Sequence, residues 1–212
     1  DINGGAELHA RYVAEHLATR HEVEVLTTCA RDYVTWRNEL PEGLAQVNGV
    51  PVRRFPVARE RVPEEFGRRS RVVFAQAHSV ADELAWLDAE GPTSPALIRH
   101  LAGGAGGSDY VLLFSARYHH AYHGARALPG RAVLVPTAER DPAVAVSVFG
   151  AIFRGVRAIM YNSFEERAMI HALAGNQDVP GVVVGIGSDV PKRTEPARAG
   201  AKGRISRHTM TK

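Results

Sequence analysis

A chain of 212 residues, 45% apolar and 23% charged, has room for one α/β domain with a sizeable core, or for a domain and a tail, but not for two full α/β domains. Its one cysteine, Cys29, excludes an internal disulfide and a cysteine-based zinc site, a usage that suits the cytoplasm, and no apolar run approaches the roughly 18 residues of a membrane-spanning helix. The formal charge of +3 comes from residues 191–212, where three lysines and four arginines face one acid, Glu195, so the basic pI is no argument for a nucleic-acid partner. The expected organisation is a folded domain over residues 1–190, followed by a basic, solvated tail over 191–212.

In chain order, Leu8, Tyr12, Val13 and Leu17 recur at helical spacing, and Glu7 in the first turn suits the positive end of the helix dipole. Residues 22–28 alternate and are β-branched, as a strand. Residues 44–47 and 50–57 flank Asn48-Gly49 and predict a hairpin, with Pro51 and Pro56 placing its second strand at a sheet edge. Residues 63–90 predict one helix, with Val72, Val73, Ala77, Val80, Leu84 and Leu87 on a broad face and Gly91-Pro92 ending it. A short helix over 95–101 and a glycine-rich turn over 102–107 follow.

Residues 109–115 and 132–135 then predict buried strands, and 158–161 and 182–184 two further strands, with helices over 144–153 and 165–173. Ser163 and Glu166 have capping-box spacing. Strand and helix alternate, which predicts a doubly wound, mainly parallel sheet with helices on both faces. Ligands of such sheets bind beyond the carboxyl ends of the strands.

Three loops there carry candidate chemistry. Gly4 and Gly5 open the first helix, where free N–H groups can take a diphosphate, although a plain tight turn has the same signature. Arg117, Tyr118, His119 and His120, with Tyr122 and His123 behind them, follow the strand at 109–115; arginine and tyrosine can stack on or hydrogen-bond a sugar. Contact with an acceptor ranks first there and a solvated cluster second. A metal site ranks third, because no carboxylate or cysteine stands beside the histidines in the chain. The third loop is Pro136-Thr137-Ala138-Glu139-Arg140-Asp141-Pro142. Asp141 reads as an N-cap ahead of Pro142, and Glu139 reads as a general base or hydroxyl anchor, or else as a member of an exposed ion pair.

Gly4-Gly5-Ala6-Glu7, the stretch 21–27, Asn48-Gly49-Val50-Pro51-Val52, Val135-Pro136-Thr137-Ala138 and Tyr161-Asn162-Ser163 with Glu165 and Glu166 stand in an order that resembles the amino-terminal domain of family 4 glycosyltransferases over roughly residues 3–190. The resemblance implies the Rossmann-like amino-terminal half of a GT-B fold and a retaining transfer from a nucleotide-sugar donor to the hydroxyl of a glycan or small-molecule acceptor, with no obligatory metal or other cofactor. It implies Gly4 and Gly5 near the donor diphosphate and Arg117, Tyr118, His119, His120 and Glu139 toward the acceptor. Glu139 stands where the family commonly has a histidine. The resemblance further implies a strand ahead of Gly4 and a carboxyl-terminal domain carrying most donor contacts. Without that second domain, turnover by these residues is not expected. A nucleotide- or glycan-binding module without catalysis is the alternative.

Overall fold

A computed structural model describes residues 4–104 and 107–187. The tail expected over 191–212 lies outside the described residues. Among them, α1 (Gly5–Leu17) leads to β1 (Val25–Thr28), β2 (Gly43–Val47) and β3 (Val50–Phe55). Helices α2 (Pro63–Ala75), α3 (Val80–Glu90) and α4 (Pro95–Ala102) come next. Then β4 (Val111–Phe114), α5 (His119–Ala127), β5 (Ala132–Val135), α6 (Ser147–Gly155), β6 (Ala158–Tyr161), α7 (Phe164–Ala174) and β7 (Gly181–Val183) alternate. The class is α/β, and no described helix is long and apolar enough to cross a membrane.

Local chemistry accounts for most boundaries. Asn48 and Gly49 take φ of 49° and 81°, the left-handed pair that a two-residue hairpin needs, and β2 and β3 pair antiparallel around them. Asp141 caps a 3-10 turn at Pro142–Ala145 by accepting from Ala143 N at 2.5 Å, as its place ahead of proline predicts. The helix expected over 63–90 is in fact two. Ser79 and Asp82 form a reciprocal capping box that starts α3 afresh, so the chain turns between α2 and α3.

The strands form two sheets. One has the order β1-β3-β2, with β1 parallel to β3; the other is fully parallel in the order β4-β5-β6-β7. The expectation that the second hairpin strand is an edge is therefore wrong, since β3 is central. Proline is tolerated there because the ladder to β1 begins at Val52, one residue beyond Pro51.

The core lies under the parallel sheet, where Trp86, Leu87, Leu101, Leu128, Leu134, Phe149, Phe153, Ile159, Tyr161 and Ile170 are buried. Each such side chain contributes roughly 1.5–3 kcal/mol on leaving water. Trp86 anchors it. Its ring meets those of Phe66, Phe74 and Phe149, and its Nε1–H donates to Ser70 Oγ at 3.0 Å, so burial leaves no indole donor unpaired.

Both sheets end on one edge. Trp36, after β1, meets Tyr118, after β4, edge to face at 5.6 Å, so the segments that follow the two strands come together. Each is an edge strand of its own sheet, and both line one cleft of about 1000 Å³, with Ala6, Ala10, Val13, Ala14 and Leu17 of α1 along it. The single sheet expected from the alternation is thus interrupted between β1 and β4.

Candidate functional site

The carboxyl ends of the strands gather the residues that follow them. Glu7, Asp32, Trp36, Pro92, Ser115, Tyr118 and His120 all line this cleft. Two of the strand ends hold non-glycine residues in left-handed backbone, Ser115 at φ 64° after β4 and Thr137 at φ 50° after β5. A β-branched residue adopts that conformation only where its surroundings impose it. Here neighbouring strand ends are tied together: Ser115 N donates to the Val135 carbonyl at 2.9 Å and Ala116 N to the Pro136 carbonyl at 2.8 Å.

Beneath this edge sits a carboxylate that sequence reading passed over. Glu90, the last residue of α3, has 2% of its side chain exposed. Its Oε2 accepts from Arg61 at 2.6 Å and its Oε1 from Arg117 Nε at 2.8 Å. The Glu90 carbonyl accepts from Trp36 Nε1 and from Arg61, while Arg117 also donates to Asp141 Oδ2 at 2.9 Å. Loops after β1, β3 and β4 are thereby bound to one residue, and Arg117 joins the loop after β5 to them. Burial pushes the Glu90 carboxyl up, against the pull of Arg117 and Arg61. Two cations and two anions leave the cluster balanced.

The sequence-predicted residues divide accordingly. Tyr118 and His120 reach the cleft. Tyr118 lies beside Trp36 and stacks with His120 at 6.0 Å, while His120 Nε2–H donates to the Phe114 carbonyl at 3.1 Å. Burial, then the nearby Glu90 charge, raises the Tyr118 phenol above its ordinary value, so it acts as a neutral hydroxyl. Arg117 is already committed to Glu90 and Asp141 and serves to hold the loop. His119 turns away from the cleft, toward Asp88 of α3 and His123 of α5. Burial, with His123 beside it, lowers its pKa to about 3.

Gly4 is the N-cap of α1 and makes no side-chain cap bond. The helix start is not empty, however. Glu7 folds back so far that a Cβ at position 4 would collide with its Oε2. A carboxylate thus already uses the positive end of the helix. Glu139 is exposed on the loop after β5, and no hydrogen bond or ion pair among the described residues holds its side chain.

Glu166 differs from its expected role. Ser163 Oγ does accept from Glu166 N, but the Glu166 carboxylate does not return to Ser163 N. It accepts instead from Ala138 N at 2.6 Å and Asn162 N at 2.5 Å, joining the ends of β5 and β6. Burial raises this carboxyl, opposed by those two N–H donors. Asp88 supplies from α3 the carboxylate that the chain does not place beside His119 and His123.

Comparison of the chain with protein-family models, with curated proteins and with solved structures finds no match. The functional reading therefore stands on the residues and their arrangement.

Proposed function

We propose that this chain is the Rossmann-like, acceptor-side domain of a retaining GT-B glycosyltransferase of family 4, acting with a second domain that supplies most donor contacts. One observation supports the reading above others. The residues after β1 and β4 meet the start of α1 at the mouth of one cleft, with Trp36, Tyr118 and His120 against Glu7 and backbone strain at Ser115 and Thr137. Aromatic faces next to a hydroxyl and an imidazole suit a sugar, whose C–H faces stack and whose hydroxyls need partners.

In this reading the nucleotide-sugar diphosphate lies against Gly4 and Gly5 once Glu7 has swung away, and Tyr118 and His120 contact the acceptor. Arg117 positions Tyr118 by holding its loop, His119 faces away, and Glu139 reaches an acceptor hydroxyl. No metal is required for the transfer. A binding module of the same fold, without catalysis, is the second reading, and it draws on the absence of any described group that orients Glu139.

Titration of the isotope-labelled chain with uridine, guanosine and adenosine diphosphates and with short glycans tests the proposal. Saturable shifts at Gly5, Tyr118 and His120 are expected, with no transfer from sugar nucleotides by these residues alone. Shifts confined to other surfaces, or no binding of any of these ligands, would sink it. A ligand that binds at Tyr118 and stays unchanged even with a second domain supplied would select the binding module.

A further inference from the structure

Helix α5 presents His119 and His123 four residues apart, on one face, with ring centroids 4.2 Å from each other. Asp88, on α3, brings its Oδ1 to 3.6 Å from His119 Nε2, and one ligand atom from each of the three residues lies within 4.8 Å of the others. The 3.6 Å separation is too long for a hydrogen bond, so the carboxylate and the imidazole stand facing without satisfying each other. His119 is only 6% exposed, and its Nδ1 has no hydrogen-bond partner. A polar ring buried to that degree that makes no hydrogen bond is unusual in a native core.

We propose that Asp88, His119 and His123 form a binding site for a divalent transition metal of the zinc, cobalt and nickel group. Two imidazoles and one carboxylate are donors for such ions, whereas magnesium and calcium favour all-oxygen sets. Paired histidines at this helical spacing converge on one ion. Bonds of about 2.0–2.1 Å to a tetrahedral ion require donors roughly 3.4 Å apart, so the cluster closes with a small contraction of side chains. Asp88 is 55% exposed, which leaves room on the solvent side for a water as fourth ligand.

The site sits behind the cleft, since none of its three residues lines that wall. It would join α3 to the first turn of α5, where His119 N already donates to the Gly91 carbonyl at 3.0 Å. The neighbours Tyr118 and His120 are the two that reach the cleft. A metal here is therefore a structural clip that fixes their loop, and it is independent of whether that cleft binds a sugar nucleotide.

The test is a titration of the chelator-treated chain with Co²⁺, read by visible absorption, and with Zn²⁺, read by calorimetry and by the thermal midpoint. One saturable equivalent, visible cobalt bands and a raised midpoint are expected. His123→Ala and Asp88→Ala should each weaken binding at least tenfold while melting like the parent without metal, and His21→Ala, at an exposed histidine elsewhere, should bind as the parent does. Lack of saturable binding, binding that survives His123→Ala, or binding lost in His21→Ala would overturn the proposal.

Discussion

Arg61 and Glu90 meet at 2.6 Å beneath the strand ends, the guanidinium side chain 10% exposed and the carboxylate 2%. The arginine also lies over the rings of Trp36 and Phe66, at 5.2 and 4.6 Å from their centroids. Little water reaches either charge, so each depends on the other for solvation.

Glu90→Gln is therefore expected to destabilise by about 3–5 kcal/mol, because it leaves Arg61 buried without a counter-charge. In a domain of this size each kcal/mol lowers the midpoint by roughly 2–4 °C, so a fall on the order of 10 °C should appear in a thermal melt. Asp141→Asn touches the exposed end of the same cluster, where side chains are 38% accessible, and should cost under about 1 kcal/mol. Equal losses in the two variants would show that the cluster has no buried centre.

Glu83 carries a pH dependence. Burial pushes its carboxyl up, but hydrogen bonds from Ser147 Oγ, Ser147 N and Val148 N at the start of α6, and one from His78, outweigh burial and hold it below its ordinary 4.5. His78 is raised above 6.5 by its bonds to the Gln76 carbonyl and to Glu83, with Asp82 also nearby. A lowered carboxyl stabilises above its unfolded value and loses that contribution as pH falls through the folded one; a raised imidazole stabilises below its unfolded value and loses it as pH rises. Stability from this pair should peak between about pH 4.5 and 6.5. Melts from pH 3 to 8 should show the acid limb flattened in Glu83→Gln, and an unchanged acid limb would remove Glu83 from the explanation.

What the sequence made legible was local. Asn48-Gly49, Asp141-Pro142 and the Ser163 cap are encoded within a few residues, and each stands where its spacing places it. The Ser79-Asp82 box was equally local, but the apolar face running from Val72 to Leu87 masked it. Glu90 was beyond local reading, because its partners Trp36, Arg61 and Arg117 lie 54, 29 and 27 positions away. Asp88 was beyond it for the same reason. Histidine number and spacing were visible, whereas the third ligand comes from another helix. Loop contents could be read, but their commitments to one another could not.

The interrupted sheet makes a further prediction. On the cleft side, neither β1 nor β4 has a strand partner among the described residues, so one row of peptide groups on each faces the cleft. Amides of 25–28 and 111–114 that point that way should exchange with solvent at least about tenfold faster than those of β5, which is paired on both sides. An added apolar peptide of high β-propensity should slow the row it covers, because an unpaired strand edge is a template for another strand. Slow exchange in the free chain would mean that the two edges are already satisfied.

The start of α1 offers the sharpest contrast between a helix cap and a ligand site. Glu7 lies against Gly4, where its carboxylate complements the helix dipole at a location that a diphosphate would need. If that end of the helix takes a nucleoside diphosphate, Glu7 competes with it by charge and by volume. Glu7→Gln removes the charge and keeps the shape, and the contribution of one charge at a helix end is about 0.3–1 kcal/mol. Affinity for the diphosphate should accordingly rise roughly two- to fivefold, while the thermal midpoint of the free chain falls slightly as the dipole loses its partner. Tyr118→Ala should leave diphosphate affinity nearly unchanged and weaken a glycan instead, since Tyr118 belongs to the loop after β4 and not to the start of α1. Calorimetry on the two variants with both ligands distinguishes the halves of the cleft, and a Glu7→Gln chain that binds diphosphate no better than the parent would place the phosphate elsewhere.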